Sequence, residues 1–426
     1  MTNKENNQLN EAYVLKRSLD HYWKKLDLDI NNNELHAEGI EGYILLISEY
    51  WVDLVDKEKW LSNAWKLLKR LRDNLPKEIH NTGAIGGLIG KLFCIISLSE
   101  KTNYFKDIKL GLLTIAQTVI KENTIYYGEN IHNLRPEHYD FVSGVSGSGL
   151  GMLYLIKRGI YTFPADLIYN IEKYLVFLTI NESGYKVKRE NQLRKTDYMQ
   201  FKKGSVDFGA AHGMIGPLLF LSSAYSQGYI VKDLIIAIEK LIDIYMRYAT
   251  VGEHKVVQWP SQVGCDDFDK AIIPEDIRGH RMSWCYGSLG ISFNLYNVGC
   301  YMNMKWLIDF SLNNLINIAN MHTDYYLLDA PILCHGYSGA LLIFQLLYKK
   351  TNNLIFKNKA NEMFNYIQNC YNPDTLYGFK IVGNTSNMGI IKYEEVEFFD
   401  LLNGASGIHL STASLFHNEY VLDDFL

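Results

Sequence analysis

The sequence predicts an all-α protein: an α/α toroid of seven helical hairpins with Gly-x-x-Gly turns, plus a small irregular, strand-containing lobe. Three observations predict it. The 426 residues include only 8 prolines against 32 glycines, and scarce proline favours helix. Gly-x-x-Gly recurs at Gly39–Gly42, Gly83–Gly86, Gly144–Gly147, Gly213–Gly216, Gly287–Gly290, Gly336–Gly339 and Gly404–Gly407, where chance would give roughly two to three such pairs. Most pairs lead into runs that are apolar on nearly every face, such as Tyr43–Ile47, Gly149–Ile156, Pro217–Leu221 and Ala340–Leu347. A helix apolar all round is a buried helix.

Each repeat therefore reads as an outer amphipathic helix, a glycine turn and an inner apolar helix. Asp53–Leu71 and Lys232–Ala249 carry the outer, amphipathic pattern. First-glycine spacings of 44, 61, 69, 74, 49 and 68 residues make the repeat degenerate. Closure into a toroid is favoured over an open solenoid because the inner runs are too apolar to face water. The glycines themselves are explained by close approach of helix ends and by turns that need positive φ. The whole chain, 1–426, reads as one toroid domain. Two polar, partly alternating stretches interrupt it: Asn181–Asp207 and Val251–Arg281. They read as long insertions with short strands, together a small extra lobe, and long insertions on one rim of a repeat fold often carry function.

Composition narrows the function classes. A formal net charge of -5 leaves no basic footprint for nucleic acid. Six cysteines are too sparse for a disulfide scaffold. The polar start Met1–Asn7 lacks the apolar segment of a signal peptide, and no apolar run reaches the roughly 18 residues of a membrane span. The expected location is cytoplasmic, with cysteines as thiols, ligands or core residues.

The chemistry sits at equivalent offsets. One residue before the first glycine of each pair stand Glu38, Thr82, Ser143, His212, Tyr286, His335 and Asn403; one earlier stand Ala37, Asn81, Val142, Ala211, Cys285, Cys334 and Leu402. Two of the six cysteines share an offset in neighbouring repeats, and His212 and His335 share the next. In a closed ring of repeats, Cys285, Cys334, His335 and His212 converge at one end. Two Cys and one His are a zinc set with a fourth position left for water or substrate. A Cys-His dipeptide alone is more often ordinary core; the repeat register reverses that reading. These residues precede helix N-termini, where thiolates and developing oxyanions are stabilised. Cys94 and Cys300 read as core or packing residues, and Cys265 and Cys370 lie out of register.

Asp140, four residues before Gly144, reads either as a helix N-cap or as the residue that orients His212 or takes a proton. Asp400, four before Gly404, reads as a helix N-cap. Arg281, four before Cys285, reads either as the holder of an anionic intermediate or as a rim ion pair. Gly147–Gly151 imitates a phosphate loop, but no strand precedes it and the signature lysine is missing. Asp266–Asp269 reads as a solvated loop rather than a metal-diphosphate motif.

Arg281–Gly287 (Arg-Met-Ser-Trp-Cys-Tyr-Gly), Cys334-His335-Gly336 and Ala211-His212-Gly213, set in seven Gly-x-x-Gly repeats, resemble the lanthionine synthetase C-like family, in particular its bacterial lanthipeptide cyclases. The resemblance spans nearly the whole chain. It implies one Zn2+ per chain on Cys285, Cys334 and His335, His212 as the acid-base residue, and Asp140, Arg281 and Tyr286 around the metal. It implies an enzyme that adds cysteine thiols of a dehydrated precursor peptide to dehydroalanine or dehydrobutyrine. The products are lanthionine or methyllanthionine rings. The implied partners are that peptide and a dehydratase and exporter, which would bring this anchorless chain to the membrane periphery. The alternatives are a non-catalytic peptide-binding scaffold of such a complex, addition of glutathione to dehydrated proteins, and prenyl transfer. A toroidal glycosidase would need paired carboxylates, and Asp140 with Asp207 make a poor pair.

Overall fold

Helices alternate in burial along the chain, and the alternation follows the glycine pairs. The computed structural model describes residues 19–24, 39–73, 81–273, 281–385, 390–396 and 398–417. Ala37, Glu38 and positions 274–280 of the second insertion lie outside these. An inner helix starts within two residues of one glycine of every pair: Ile40–Glu49, Leu88–Thr102, Val145–Lys157, Ile215–Ser226, Ser288–Met302, Tyr337–Thr351 and Ala405–Ala413. Most of their residues are buried. The two amphipathic stretches form outer helices, Lys57–Asp73 and Leu234–Arg247. Lys106–Glu129, Ala165–Ile180, Lys305–Asn320 and Leu354–Asn369 complete the outer set.

Each tight inner-to-outer corner carries a residue in the left-handed region. Asn103, Asn303 and Asn352 have φ of 63°, 53° and 54°, and Gly159 and Gly228 have 66° and 85°. Asn and Gly are the residues that adopt this conformation with least strain. The outer-to-inner glycine turns work differently. Gly144, Gly336 and Gly404 have φ of -98°, -123° and -115°, which other residues adopt freely. They are glycine because of close approach. A Cβ at Gly147, Gly290 or Gly407 would overlap the carbonyl oxygen of Phe141, Trp284 or Leu401 respectively. Of the two explanations for Gly-x-x-Gly, contact accounts for most of these turns, and positive φ for few, such as Gly39 and Gly287.

The chain packs as two compact units. In one, Tyr337–Thr351 packs on Leu354–Asn369, and Ala405–Ala413 packs on both Tyr337–Thr351 and Ile40–Glu49. His417 Nδ1 meets the buried Glu49 carboxylate at 2.5 Å, which ties the last repeat to the first. This unit also holds the antiparallel hairpin of β5 (Lys380–Thr385) and β6 (Ile390–Glu395), between the sixth and seventh turns. The sequence pattern did not reveal it.

In the other unit, Ile215–Ser226 packs between Val145–Lys157 and Ser288–Met302, and the latter packs on Lys305–Asn320. Both insertions lie here and pair with each other. Strand β1 (Ser205–Asp207) runs antiparallel to β4 (Gln262–Gly264) with Val206 opposite Val263. Between β2 (Thr250–Val251) and β3 (Val257–Gln258) lies a tight turn. The first insertion adds a short helix, Lys195–Gln200, and the second adds Cys265–Asp269. Buried Asn314 fixes the second insertion by accepting from the Val257 N–H at 2.7 Å and donating to its carbonyl at 3.0 Å. Tyr245 donates to the Phe208 carbonyl at 2.9 Å, and the Trp259 indole donates to the Tyr245 carbonyl at 2.7 Å.

Two outcomes follow. Gly147→Ala should lower stability by about 1–3 kcal/mol through overpacking. Gly111→Ala, with open space around its position in the exposed helix Lys106–Glu129, should raise it by roughly 0.5–1 kcal/mol through helix propensity. Chemical denaturation of both variants checks the opposite signs. The hydrogen bond to Glu49 raises the His417 pKa against its burial. Its stabilisation is therefore full below the unfolded-state value of about 6.5 and is lost as pH rises through the higher folded value. The stability gap between this chain and His417→Gln should be largest near pH 6 and shrink above neutrality. A gap that grows with pH would refute the assignment.

Candidate metal and acid-base site

Equivalent turns bond to one another through the backbone, residue for residue. The Val142 N–H donates to the Ala211 carbonyl at 3.2 Å, the Ala211 N–H to the Cys285 carbonyl at 3.4 Å, and the Cys334 N–H to the Leu402 carbonyl at 2.9 Å. All five residues occupy the position two before a first glycine. The shared offset is thus a physical row within each of the two units. The Ala210 N–H strengthens it by donating to the Cys285 carbonyl at 2.8 Å.

Cys285 is buried and precedes Gly287, the N-cap of Ser288–Met302. Ser283 donates to the Tyr286 carbonyl, closing the turn that presents it. Cys334 and His335 are half-buried and precede Gly336, the N-cap of Tyr337–Thr351. One ligand atom each from Cys285, Cys334 and His335 lie within 4.8 Å of one another, a group that could hold a metal ion. All six cysteines are free of disulfides. Burial pushes the Cys265 and Cys370 thiols up to about 11, so they stay protonated. Cys94 is buried as expected; Cys300, read as packing, is exposed instead, at the end of an inner helix where only part of the surface is covered.

Asp140 meets both a turn and His212, and the helix N-cap expected of it is Gly144 instead. It is fully buried. Its Oδ1 accepts from the Ser143 and Gly144 N–H groups at 2.7 and 2.8 Å, capping the turn. Its Oδ2 meets His212 Nδ1 at 2.5 Å, which leaves His212 Nε2 for other partners. Burial works to lower the His212 pKa, but the charge and hydrogen bond of Asp140, with the charge of Asp207, hold it above its ordinary value. Asp400 accepts from Leu402 and Asn403 N–H at 3.0 and 2.7 Å, so it caps the turn rather than the helix expected of it, whose N-cap is Gly404.

Tyr286 is half-buried, and its hydroxyl donates to Asp207 Oδ2 at 2.8 Å. Arg281 is half-buried on the extended approach to the Cys285 turn. The cation that lies over the Tyr286 ring is Arg194, from the first insertion, with its guanidinium carbon 5.4 Å from the ring centroid. Sequence reasoning missed Arg194 and the role of Asp207. Their only signal was membership of an insertion, since no repeat offset marks them.

Comparison with known proteins follows the same lines. The family model described as "Lanthionine synthetase C-like protein" matches residues 30–426. The chain is 25% identical over 374 residues to the nisin biosynthesis protein NisC of Lactococcus lactis subsp. lactis, with 85% of each chain covered. It superposes on a solved structure titled nisin cyclase with a TM-score of 0.77 at 21% identity, covering 96% of this chain and 98% of that one. That likeness shows the fold, and it is the all-α toroid class expected from the glycine repeat. With a family model matched over all but its first residues, this chain belongs to the lanthionine synthetase C-like family.

Proposed function

We propose that this chain is a zinc-dependent lanthipeptide cyclase. It would add cysteine thiols of a dehydrated precursor peptide to dehydroalanine or dehydrobutyrine, forming lanthionine or methyllanthionine rings. The observation that carries the reading is the convergence of Cys285, Cys334 and His335, with His212 held on Asp140, in a chain of this family. The nisin relatives support the substrate class.

The donor set fits one zinc ion. Zinc bonds of about 2.0–2.3 Å place tetrahedral ligand atoms roughly 3.5 Å apart, inside the 4.8 Å spread of these three. Three protein ligands leave a position for substrate, as in catalytic sites. When bound, zinc supplies a Lewis acid that favours the thiolate of a substrate cysteine over a thiol of pKa near 8.5. Two cysteine ligands make the ion electron-rich, which suits thiol addition better than hydroxide generation.

The remaining work falls to the chain. The reaction adds S–H across a C=C bond: a C–S bond forms at the β-carbon, the double bond becomes single, and the α-carbon gains a proton. Charge builds on the adjacent amide oxygen. Arg281 and the N-termini of Ser288–Met302 and Tyr337–Thr351 supply positive potential there. His212 delivers the proton from Nε2. Asp140 holds its Nδ1 proton and, by charge, keeps the imidazolium populated at a higher pH than an isolated histidine would. Reaction requires no oxidant. A dehydratase would supply the substrate and an exporter would remove the product, bringing this chain to the cytoplasmic face of the membrane. Among the described residues no helix is long and apolar enough to cross it.

Cys334→Ala and His335→Ala should lose both bound zinc and ring formation, whereas His212→Ala should keep about one zinc per chain and lose roughly 10²–10⁴ in rate. Metal analysis beside a mass-spectrometric assay with a dehydrated peptide checks both. Undiminished ring formation by His212→Ala would remove it from the mechanism. Asp140→Ala should lose both rate and melting temperature, because one carboxylate orients the histidine and caps the turn; a variant that loses rate alone would show that the cap is dispensable.

A further inference from the structure

The two insertions build a clamp around Tyr286. Asp207 ends β1 and is buried. Three donors converge on its carboxylate: the Gly209 N–H on Oδ1 at 2.8 Å, and the Gln262 amide and Tyr286 hydroxyl on Oδ2 at 3.1 and 2.8 Å. Gln262, on the paired strand β4, also turns its amide N–H toward Asp197 at 3.4 Å. Three donors on two oxygens fix Asp207 as an acceptor. The ring of Tyr286 lies against Gly209, where a Cβ would overlap its edge, and Arg194 stands over its face. Position, edge and hydroxyl of Tyr286 are all set by residues within or immediately after the inserted segments.

We propose that Asp207 is a positioning residue of the cyclase: it takes the hydroxyl proton of Tyr286 into a buried hydrogen bond, so that Tyr286 offers substrate a lone pair and a ring face but no proton. This rests on the cyclase reading. A phenol has one proton to donate. While it lies on Asp207, the α-carbon must be protonated from elsewhere, and His212 is the group with a free ring nitrogen. The strand pair β1–β4 is then the reason that both insertions exist together. One brings Asp207 and Arg194, and the other brings the Gln262 amide that holds the carboxylate in its donor-accepting orientation.

The test compares Asp207→Asn, Tyr286→Phe and the double variant on a dehydrated peptide with one cysteine and one dehydroalanine, with the unmodified chain as control. Asp207→Asn places an amide donor where Oδ2 stood and turns the bond to Tyr286 around. It should lower kcat by about tenfold or more with little change in KM and no loss of zinc. In the Tyr286→Phe background the same change should cost clearly less than it does alone, because the hydrogen bond is already gone and only the Asp207 charge felt by His212 is still lost. Losses that multiply in the double variant would overturn the proposal. A second readout needs no activity and survives misfolding of Asp207→Asn. The ultraviolet Raman difference spectrum between the unmodified chain and Tyr286→Phe should show a tyrosine that is a strong hydrogen-bond donor. A tyrosine acting as acceptor there overturns the proposal. Failure of the unmodified chain to close rings would strike the cyclase reading instead, and leaves the Raman result to decide the hydrogen bond.

Discussion

The site depends on one constraint: the turns of neighbouring repeats must come close enough for their backbones to hydrogen-bond. Val142 to Ala211, Ala211 to Cys285 and Cys334 to Leu402 are such bonds, each between residues at one offset from a glycine pair. Close approach accompanies them: the second glycine lies against the carbonyl of its own incoming loop at Gly147, Gly290 and Gly407, on Phe141, Trp284 and Leu401, and Gly216 lies against the backbone of Phe141 in the neighbouring turn. The contact then fixes which side chains share a row. A cysteine two residues before a first glycine presents its thiol in the same register wherever it occurs. Helix dipoles follow from the same geometry, since each of these turns ends where an inner helix begins. Packing, register and electrostatics thus have a common origin in a missing methyl group.

Where sequence reading succeeded, a period carried the information. Glycine pairs mark the seven inner helices among the described residues, and their offsets mark Cys285, Cys334 and His335. Amphipathic stretches located outer helices to within a few residues. Aperiodic features were legible only as interruptions. Asn181–Asp207 and Val251–Arg281 stood out as polar breaks, yet nothing in either says that Ser205–Asp207 pairs with Gln262–Gly264. That pairing joins residues 55 to 59 positions apart and is decided by tertiary packing, to which local alternation is blind. Arg194 and Asp207 inherit the same opacity. The β5–β6 hairpin lay in a segment with no repeat landmark. Cys300 was misjudged because the last turn of an inner helix is no longer enclosed, a boundary effect that hydrophobicity alone does not reveal.

Asp140 shows how the repeat was adapted for chemistry without a new structural element. Asp400 occupies the equivalent place in the last repeat and serves its turn with one oxygen. Asp140 serves its turn in the same way and uses the second oxygen for His212. A carboxylate has lone pairs to spare, so a turn cap can also hold a histidine once the neighbouring turn supplies one. Burial of the pair matters here. Desolvation alone would drive an imidazole toward its neutral form, as it does for His138 and His409, each lowered to about 4. His212 is pushed the other way because its carboxylate partner is buried with it.

The same comparison argues for how a proton donor and a metal site coexist. Histidine next to a cation loses its proton readily, so a metal near His212 would tend to make it a base. Two negative charges oppose that: Asp140 in contact, and Asp207 acting through space. Asp140 is committed to its turn and to Nδ1, and Asp207 to three donors. They supply field without supplying an alternative proton acceptor. In the cyclase reading this division is what the chemistry needs. The thiol must lose a proton beside the metal while the α-carbon gains one nearby, and a single uncommitted carboxylate between them would exchange with both. In that reading, holding each carboxylate on three donors keeps the two proton transfers apart.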